Sequence, residues 1–219
     1  MIIATLQRKG GVGKTTIAAN MAYALASLTN REVTLLDWDA QGSLTRWAGR
    51  GSGFLSRAVR PYNVADDADP VAWATDALSV VAERKDHLTV IDTAPSYDDL
   101  STLALMHADV FVIPVQPSPL DLEAAHDVIE LIEQGIPGRS APPLVALVPS
   151  KTKPRADLSA KIGGALDACG CIVLAAIGDR VANAEAAMVG MVTAEYKPRD
   201  QATTEWANLA KQLSKLIRR

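Results

Sequence analysis

The stretch Lys9-Gly10-Gly11-Val12-Gly13-Lys14-Thr15-Thr16 is the part of this 219-residue sequence that decides how the rest is interpreted. It follows directly on an apolar run at residues 2–6, typical of a buried strand, and it precedes a helical pattern over residues 17–28. Glycines at such a junction let backbone N–H groups converge on an anion, and the helix N-terminus adds a positive partial charge. Strand, glycine-rich loop, lysine, hydroxyl and helix in this order predict a binding site for the phosphates of a nucleoside triphosphate.

Within this loop the side chains have separate expected roles. Lys14 is expected to reach the β- and γ-phosphates, and the Thr15 hydroxyl to ligate Mg²⁺. The usual pattern G-x-x-x-x-G-K-[ST] is not met, because Arg8 stands where the first glycine belongs and a second lysine, Lys9, precedes the double glycine. A tight turn without a ligand is the alternative. The predicted nucleotide-binding residues are Lys9, Gly10, Gly11, Val12, Gly13, Lys14, Thr15 and Thr16.

The length and composition favour a single globular domain over residues 1–219. No apolar run approaches the ~20 residues that a membrane span requires. Because the first strand begins at once, we expect neither a signal peptide nor an N-terminal DNA-binding domain. The net charge of −3 gives no general argument for nucleic acid binding, so such an activity has to come from a local patch.

Strand-like and helical segments alternate along the chain, which predicts an α/β fold. Strands are expected near residues 2–6, 33–37, 88–92, 109–113, 144–148 and 172–175. Helices are expected over residues 14–28, 71–84, 98–107, 120–134, 157–168, 182–189 and 202–217. Glycines break up the stretch 42–62, for which we predict no long element. The expected architecture is a doubly wound, mostly parallel sheet with helices on both faces.

Carboxylates follow two of the predicted strands. Asp37 and Asp39 end the second strand, where alternation places both on the same side at the ligand-binding edge of the sheet. Two carboxylates so placed repel each other unless a cation or a polarised water lies between them. Asp92 ends the apolar run 88–91 in the Walker B arrangement, in which the carboxylate orders Mg²⁺. The predicted metal site therefore comprises Thr15, Asp37 and Asp92.

A proline-rich segment leaves the fourth predicted strand. Pro114, Pro117 and Pro119 stiffen it, and Ser118 is placed to cap the following helix. These residues indicate a rigid loop at the ligand-binding edge. A role in an interface is an equally good interpretation, and the sequence leaves both open.

With these motifs the sequence resembles the ParA/MinD (deviant Walker A) ATPases, in particular the small partition ATPases that lack an N-terminal DNA-binding domain. The matching segments are 9–16, 37–45, 92–95, 114–119 and 177–180. The pattern differs where Ala40 and Ala94 replace prolines, and where Ser150 occupies a region in which an asparagine often contacts the base.

The resemblance implies a P-loop NTPase that hydrolyses ATP with Mg²⁺ as a homodimer. Lys9, Lys14 and Asp39 are then the catalytic residues. In the family the counterpart of Lys9 crosses the dimer interface to the partner's phosphates, and that of Asp39 positions the attacking water. ATP would lie between two subunits that close face to face.

The same resemblance implies a function in positioning DNA cargo, a plasmid or a chromosome. The ATP dimer would bind DNA non-specifically, and a centromere-binding, ParB-like adaptor would stimulate hydrolysis. The protein would be cytoplasmic and, with ATP bound, associated with the nucleoid. Arg180, Lys197 and Arg199 are the residues that we expect to contact DNA.

Three alternatives remain at this stage. A MinD-like positioning ATPase would use the C-terminal helix, with Trp206 and Leu213 on its apolar stripe, as a membrane anchor. Packing of that stripe on the sheet is favoured instead, so membrane binding is not expected. A metallocluster ATPase would need cysteine ligands near the loop, but Cys169 and Cys171 lie at another predicted strand. A scaffold without catalysis would need a missing catalytic group, whereas Asp39 and both lysines are present.

Overall fold

The computed structural model describes residues 1–61, 69–84, 86–96, 98–139, 141–153 and 171–217. Its strands are β1 Ile2–Thr5, β2 Val33–Trp38, β3 Val59–Arg60, β4 Leu88–Thr93, β5 Val110–Val115, β6 Leu144–Pro149 and β7 Ile172–Val173. They form one sheet in the order β3-β2-β4-β1-β5-β6-β7, and every pairing among the described residues is parallel. The predicted α/β class with a parallel sheet is confirmed.

The helices connect these strands. They are α1 Lys14–Thr29, α2 Ser43–Ala48, α3 Phe54–Ala58, α4 Pro70–Ala82, α5 Asp99–His107, α6 Pro119–Gly135, α7 Val181–Met188, α8 Thr193–Tyr196 and α9 Gln201–Leu216. The predicted cap of α6 is present, because the Asp121 backbone N–H donates to the Ser118 hydroxyl at 3.2 Å. The helix expected over residues 157–168 lies outside the described residues.

Two apolar clusters cover the two faces of the sheet. On one face α1 and α9 pack together, with Ile17, Trp206 and Leu213 essentially inaccessible to solvent. On the other face α4, α5 and α6 bury side chains such as Leu78 and Val128. This three-layer arrangement has continuous apolar strands in its middle layer, as expected for a parallel sheet.

The order of the strands places β1 at the centre of the sheet, between β4 and β5. Thr5 pairs with Asp92 across β1 and β4, and Asp37 pairs with Asp92 across β2 and β4. The loop that leaves β1 therefore emerges beside the carboxyl ends of the strands that carry both aspartates. Open α/β sheets bind their ligands at such a point.

The stretch 42–62, for which no long element was predicted, contains two short helices and β3. This segment packs against the far end of the chain, where Trp47 Nε1 donates to Met191 O at 3.0 Å. A Cβ on Gly190 would stand 2.1 Å from the Gly51 nitrogen, so the two backbones approach closely at glycines. A tertiary contact of this kind leaves no local pattern, and β3 was therefore missed.

Candidate functional site

The glycine-rich loop has the geometry of an anion-binding loop. Gly11 and Gly13 have φ values of 74° and 104°, which L side chains rarely adopt. Gly13 is the N-cap of α1, and no side chain caps this helix. Because the first N–H groups of a helix lack intrahelical partners, those of α1 are available to an anion at the loop.

Lys14 begins α1 and is buried beneath the loop, with its Nζ donating to Gln7 O at 2.9 Å. Burial lowers the pKa of Lys14, while the charges of Asp92 and Asp39 oppose that shift. The lysine is thus surrounded by the loop and by the carboxylates of the neighbouring strands, where it can neutralise charge on a bound phosphate.

Asp92 is the acid of this edge whose pKa departs most from its ordinary value. It is buried, and burial raises its pKa to about 7, an effect that the nearby Thr15 hydroxyl opposes. Thr5 Oγ1 donates to its Oδ1 at 3.3 Å, whereas its buried Oδ2 has no hydrogen-bond partner among the described residues. A buried acceptor without a partner marks the place where a ligand would contribute most.

Asp37 lies beside Asp92 and is also buried, and burial raises its pKa. Its Oδ2 accepts hydrogen bonds from the Thr45 backbone N–H at 2.8 Å and from the Thr45 hydroxyl at 2.6 Å. Asp37 therefore fixes the start of α2. Asp39 is half-buried and accepts the Gln41 backbone N–H at 2.8 Å, which keeps its carboxylate at the mouth of the site.

Lys9 forms an ion pair with Asp121 within the same chain. Lys9 Nζ and Asp121 Oδ2 are 2.7 Å apart, and the Lys9 side chain is 42% exposed whereas that of Asp121 is 2% exposed. The Ser118 hydroxyl also contacts this carboxylate. Gln116 Nε2 donates to Gly11 O at 3.1 Å. The proline-rich segment thus lies against the phosphate loop and holds the extra lysine.

A cavity of about 310 Å³ lies next to the loop, on the side of β6 and α7. Gly13, Ser150, Lys151, Arg180 and Trp206 are among the residues that line it. Ser150 Oγ donates to Val12 O at 2.9 Å, and Lys151 Nζ donates to Gly11 O at 2.6 Å. The volume and the position beside the phosphate loop suit the base and ribose of a nucleotide.

The polar groups at the carboxyl edge also fit a hard divalent cation. The Thr15 hydroxyl and the carboxylates of Asp37 and Asp92 form an oxygen-only donor set, which Mg²⁺ prefers. The Oδ2 of buried Asp92, which has no hydrogen-bond partner in the part of the chain that the structure describes, is the observation that favours a cation here.

The sequence profile of the CobQ/CobB/MinD/ParA nucleotide binding domain matches residues 3–217, almost the whole chain. The chain belongs to this family. The resemblance to ParA/MinD ATPases that was based on its motifs is therefore confirmed. Proteins of the ParA/MinD type are P-loop ATPases that act in partition or positioning.

Two relatives are named for different functions. The "Maintenance of carboxysome distribution protein A" of Halothiobacillus neapolitanus is 37% identical over 175 residues, which cover 78% of this chain and 76% of that protein. The "Chromosome partitioning protein ParA" of Caulobacter vibrioides is 38% identical over 169 residues, which cover 61% of this chain and 62% of that protein. The chain thus spans about three-fifths of the length of this partition ATPase.

Solved structures of ParA/MinD proteins share the fold. The septum site-determining protein MinD of Pyrococcus horikoshii, solved in complex with Mg-ADP, superposes with a TM-score of 0.79 over 99% of this chain and 96% of that one, at 20% identity. The apo McdA structure of "Cyanthece" gives a TM-score of 0.76 over 97% and 98% of the two chains, at 17% identity. At such identities the similarity concerns the fold alone.

The residues predicted to contact DNA have different surroundings. Arg180 donates through Nε and Nη2 to Glu205 Oε1, at 3.1 and 2.7 Å, and also lines the cavity beside the loop. Lys197 is paired with Glu185. Arg199 is exposed. Arg180 and Lys197 are half-buried and each has a carboxylate partner, so exposed Arg199 is the most accessible of the three cations. The DNA contact remains a prediction.

The apolar stripe of the C-terminal helix is packed inside the molecule. Trp206, Leu209 and Leu213 of α9 are buried in the cluster that includes α1. Within the described residues, no helix is both long enough and apolar enough to cross a membrane. Packing of the stripe on the body of the protein, the favoured interpretation, agrees with this burial.

The sequence did not reveal every group at this site. Asp121, Lys151 and Thr45 contact the loop or its carboxylates, but none was predicted to do so. Asp121 follows Ser118 by three residues and looks like an ordinary acid in the first turn of a helix. Its contact with Lys9 spans 112 positions and has no signal in local spacing.

Proposed function

We propose that this protein is a Mg²⁺-dependent ATPase that dimerises around ATP and uses the cycle of association and hydrolysis to position a cargo. The observation that carries the proposal is the convergence of three features at one edge of the sheet. They are the N-terminus of α1, which no side chain caps, buried Lys14, and the Oδ2 of buried Asp92, for which no described residue is a hydrogen-bond partner. Family membership supports ATP as the nucleotide.

Each residue of the site has a task in this proposal. The N–H groups of the loop and Lys14 bind and orient the phosphates, and Thr15, Asp37 and Asp92 would hold Mg²⁺. The cation would neutralise charge that develops on the phosphates. Asp39, at the mouth of the site, orients the attacking water and accepts its proton.

Lys9 has its task in the dimer. Its ammonium group is partly exposed and would exchange Asp121 for a phosphate of the partner subunit. ATP then favours the dimer only to the extent that it interacts better with two subunits than with one. Release of phosphate on hydrolysis removes that partner and returns Lys9 to Asp121.

Two substitutions separate binding from turnover. Lys9→Ala should bind ATP but fail to dimerise, because its target lies in the other subunit. Asp39→Ala should bind ATP and dimerise, yet hydrolyse about 10²–10⁴-fold more slowly, since general-base catalysis is lost. Size-exclusion chromatography with ATP and with ADP, together with phosphate release, gives both readouts. Normal ATP dimerisation of Lys9→Ala would show that the role in trans is wrong.

DNA is the first cargo that we propose, and it is also the polymer that the ATP dimer would bind non-specifically. A ParB-like adaptor would be the partner that stimulates hydrolysis. Binding of random-sequence duplex should require ATP, show little sequence preference, and weaken with salt with a slope of about −0.9 per phosphate neutralised. Arg199→Ala should reduce the affinity for all sequences. Arg180→Ala is a less specific test, because Glu205, its partner, also accepts the Gly178 N–H at 2.9 Å. Arg50→Ala, which removes an exposed arginine that belongs to neither this set nor the phosphate loop, is the matched control.

A protein assembly is the second candidate cargo. The relative from Halothiobacillus neapolitanus, which covers more of this chain than the chromosome partition ATPases do, is named for carboxysome distribution. The two cargo classes share the ATP cycle and differ in the adaptor. Affinity capture with the Asp39→Ala dimer as bait would recover a DNA-binding adaptor in one case and an adaptor bound to a protein shell in the other.

A further inference from the structure

A cavity of about 460 Å³ lies at the amino edge of the sheet, opposite the phosphate loop. Because all the strands are parallel, the segments at the starts of β2, β3 and β4 meet there. Four arginines line this cavity, and we refer to them as the arginine cluster: Arg31, Arg57, Arg60 and Arg84. His87, the residue before β4, also lines this cavity.

The arginine cluster has more positive charge than its surroundings neutralise. Arg31 Nη2 forms a long ion pair, 3.7 Å, with Asp86 Oδ1. No carboxylate of the described residues lies within 4 Å of the other three guanidinium groups. Among the described residues of the lining, Glu32 is the acidic one. Counted over the described residues, four guanidinium groups stand against the carboxylates of Glu32 and Asp86, which leaves a surplus of two positive charges.

His87 is the second, independent feature of this cavity. Its side chain is 3% exposed, and its Nε2 is 2.9 Å from the Thr34 hydroxyl. Its Nδ1 makes no hydrogen bond to any described residue, and the nearest carboxylate oxygen, on Glu32, is 3.9 Å away. In the tautomer in which Thr34 donates to Nε2, Nδ1 carries the hydrogen. A buried donor without a partner is costly unless a ligand accepts from it.

We propose that this cavity binds the phosphate group of a small phosphorylated molecule. A phosphate monoester carries about 1.5–2 negative charges near neutral pH, which matches the surplus of the arginine cluster. Guanidinium groups bind phosphate oxygens in a bidentate manner, and His87, whose buried Nδ1 has no hydrogen-bond partner among the described residues, lies in the same lining. The volume lies within the range of about 300–1,000 Å³ for small-ligand sites.

A small molecule is favoured over a DNA backbone by the shape of the site. The arginines surround a concave cavity instead of forming a stripe along one surface. Part of its wall is apolar, with Phe54 and Ala58 in the lining. An extended duplex needs a row of cations along its backbone, whereas a cavity with an apolar wall suits the organic part of a compact ligand.

Calorimetric titration with inorganic pyrophosphate tests the proposal. Wild-type protein should bind two equivalents, one at the phosphate loop and one at the arginine cluster. Lys14→Ala should retain the second, and Arg57→Ala/Arg84→Ala should retain the first. Arg84→Ala alone should weaken the amino-edge site about 10–100-fold, as expected for one charge-assisted contact. Lys211→Ala, which removes an exposed cation of α9, is the matched control and should change neither equivalent.

Three outcomes would overturn this proposal. One is a single equivalent of pyrophosphate that disappears in Lys14→Ala. Another is an equal loss in Lys211→Ala, which would indicate a general effect of surface charge. The third is loss of duplex DNA binding in Arg57→Ala/Arg84→Ala without a second pyrophosphate equivalent, which would assign the cluster to DNA. If the double variant does not fold, Arg84→Gln replaces it, because Arg84 is exposed. None of these results depends on ATP dimerisation.

Discussion

The two edges of the sheet are both proposed to bind anions, but by different physical means. At the carboxyl edge the donors are backbone N–H groups and the N-terminus of α1, held by glycines with positive φ. At the amino edge the proposed donors are the guanidinium groups of the arginine cluster, with His87 in the same lining. The first edge also contains buried Asp37 and Asp92, whereas the second has a surplus of positive charge.

This difference explains why one edge was predicted and the other was not. A backbone site needs glycines, a lysine and a hydroxyl at fixed spacing, so it has a motif. A site of arginine side chains needs only that separate segments meet. The four arginines extend from residue 31 to residue 84 and have no common spacing.

The largest expected effect comes from a substitution that removes phosphate binding at the carboxyl edge and leaves the amino edge intact. Lys14→Ala removes a buried ammonium group next to Asp92, and ATP affinity should fall at least 10–100-fold. Pyrophosphate binding at the arginine cluster should persist. Calorimetry with each ligand measures the two edges in one protein, with Lys211→Ala as the charge-matched control. Wild-type ATP affinity in Lys14→Ala would contradict the phosphate-loop assignment.

A smaller effect is expected from the ion pair at the rim of the carboxyl edge. Asp121→Asn should free Lys9 and tighten the ATP dimer about 3–10-fold, because a half-exposed ion pair no longer competes with the partner's phosphate. Sedimentation across a concentration series with ATP measures this. Glu123→Gln removes an exposed acid from the same helix turn and should have no effect. Weaker dimerisation of Asp121→Asn would mean that the ion pair holds Lys9 in its active position.

The last effect concerns stability at the carboxyl edge without ligand. Since burial raises the pKa of Asp92 to about 7, the folded state holds this proton more tightly than the unfolded state does. Its contribution to stability therefore declines as the pH rises from about 4 to about 7. At pH 8, without nucleotide or Mg²⁺, Asp92→Asn should be more stable by roughly 1–2 kcal/mol, or about 2–6 °C in Tm.

The same variant should show little difference from wild type at pH 4 and should lose Mg²⁺-dependent ATP binding at pH 8. Thermal unfolding at the two pH values makes the comparison, with exposed Asp127→Asn as the control. A lower Tm for Asp92→Asn at pH 8 would mean that its charge is already stabilised by the protein itself.

Local patterns predicted most of the fold, because apolar runs and helical periodicity are properties of neighbouring residues. The six predicted strands are present, and Ser118 caps α6 as expected. The seventh strand, β3, was not predicted. It has two residues and is defined by its parallel pairing with β2. Two further features could not be predicted from the sequence, because each depends on segments that tertiary folding brings together. They are the contact between Lys9 and Asp121, and the His87 Nδ1 that has no hydrogen-bond partner among the described residues.

The shortness of the outer strands has a consequence for self-association. β3 and β7, at the two sides of the sheet, have two residues each. Pro61 follows β3 and has no N–H to donate, so the ladder stops there. An edge this short is a poor template for addition of a strand from another molecule. If the protein forms filaments, its subunits have to join through helical surfaces or through the face at which ATP is proposed to bind. Under the proposed ATPase cycle, such polymers should disassemble on hydrolysis instead of persisting as cross-β aggregates.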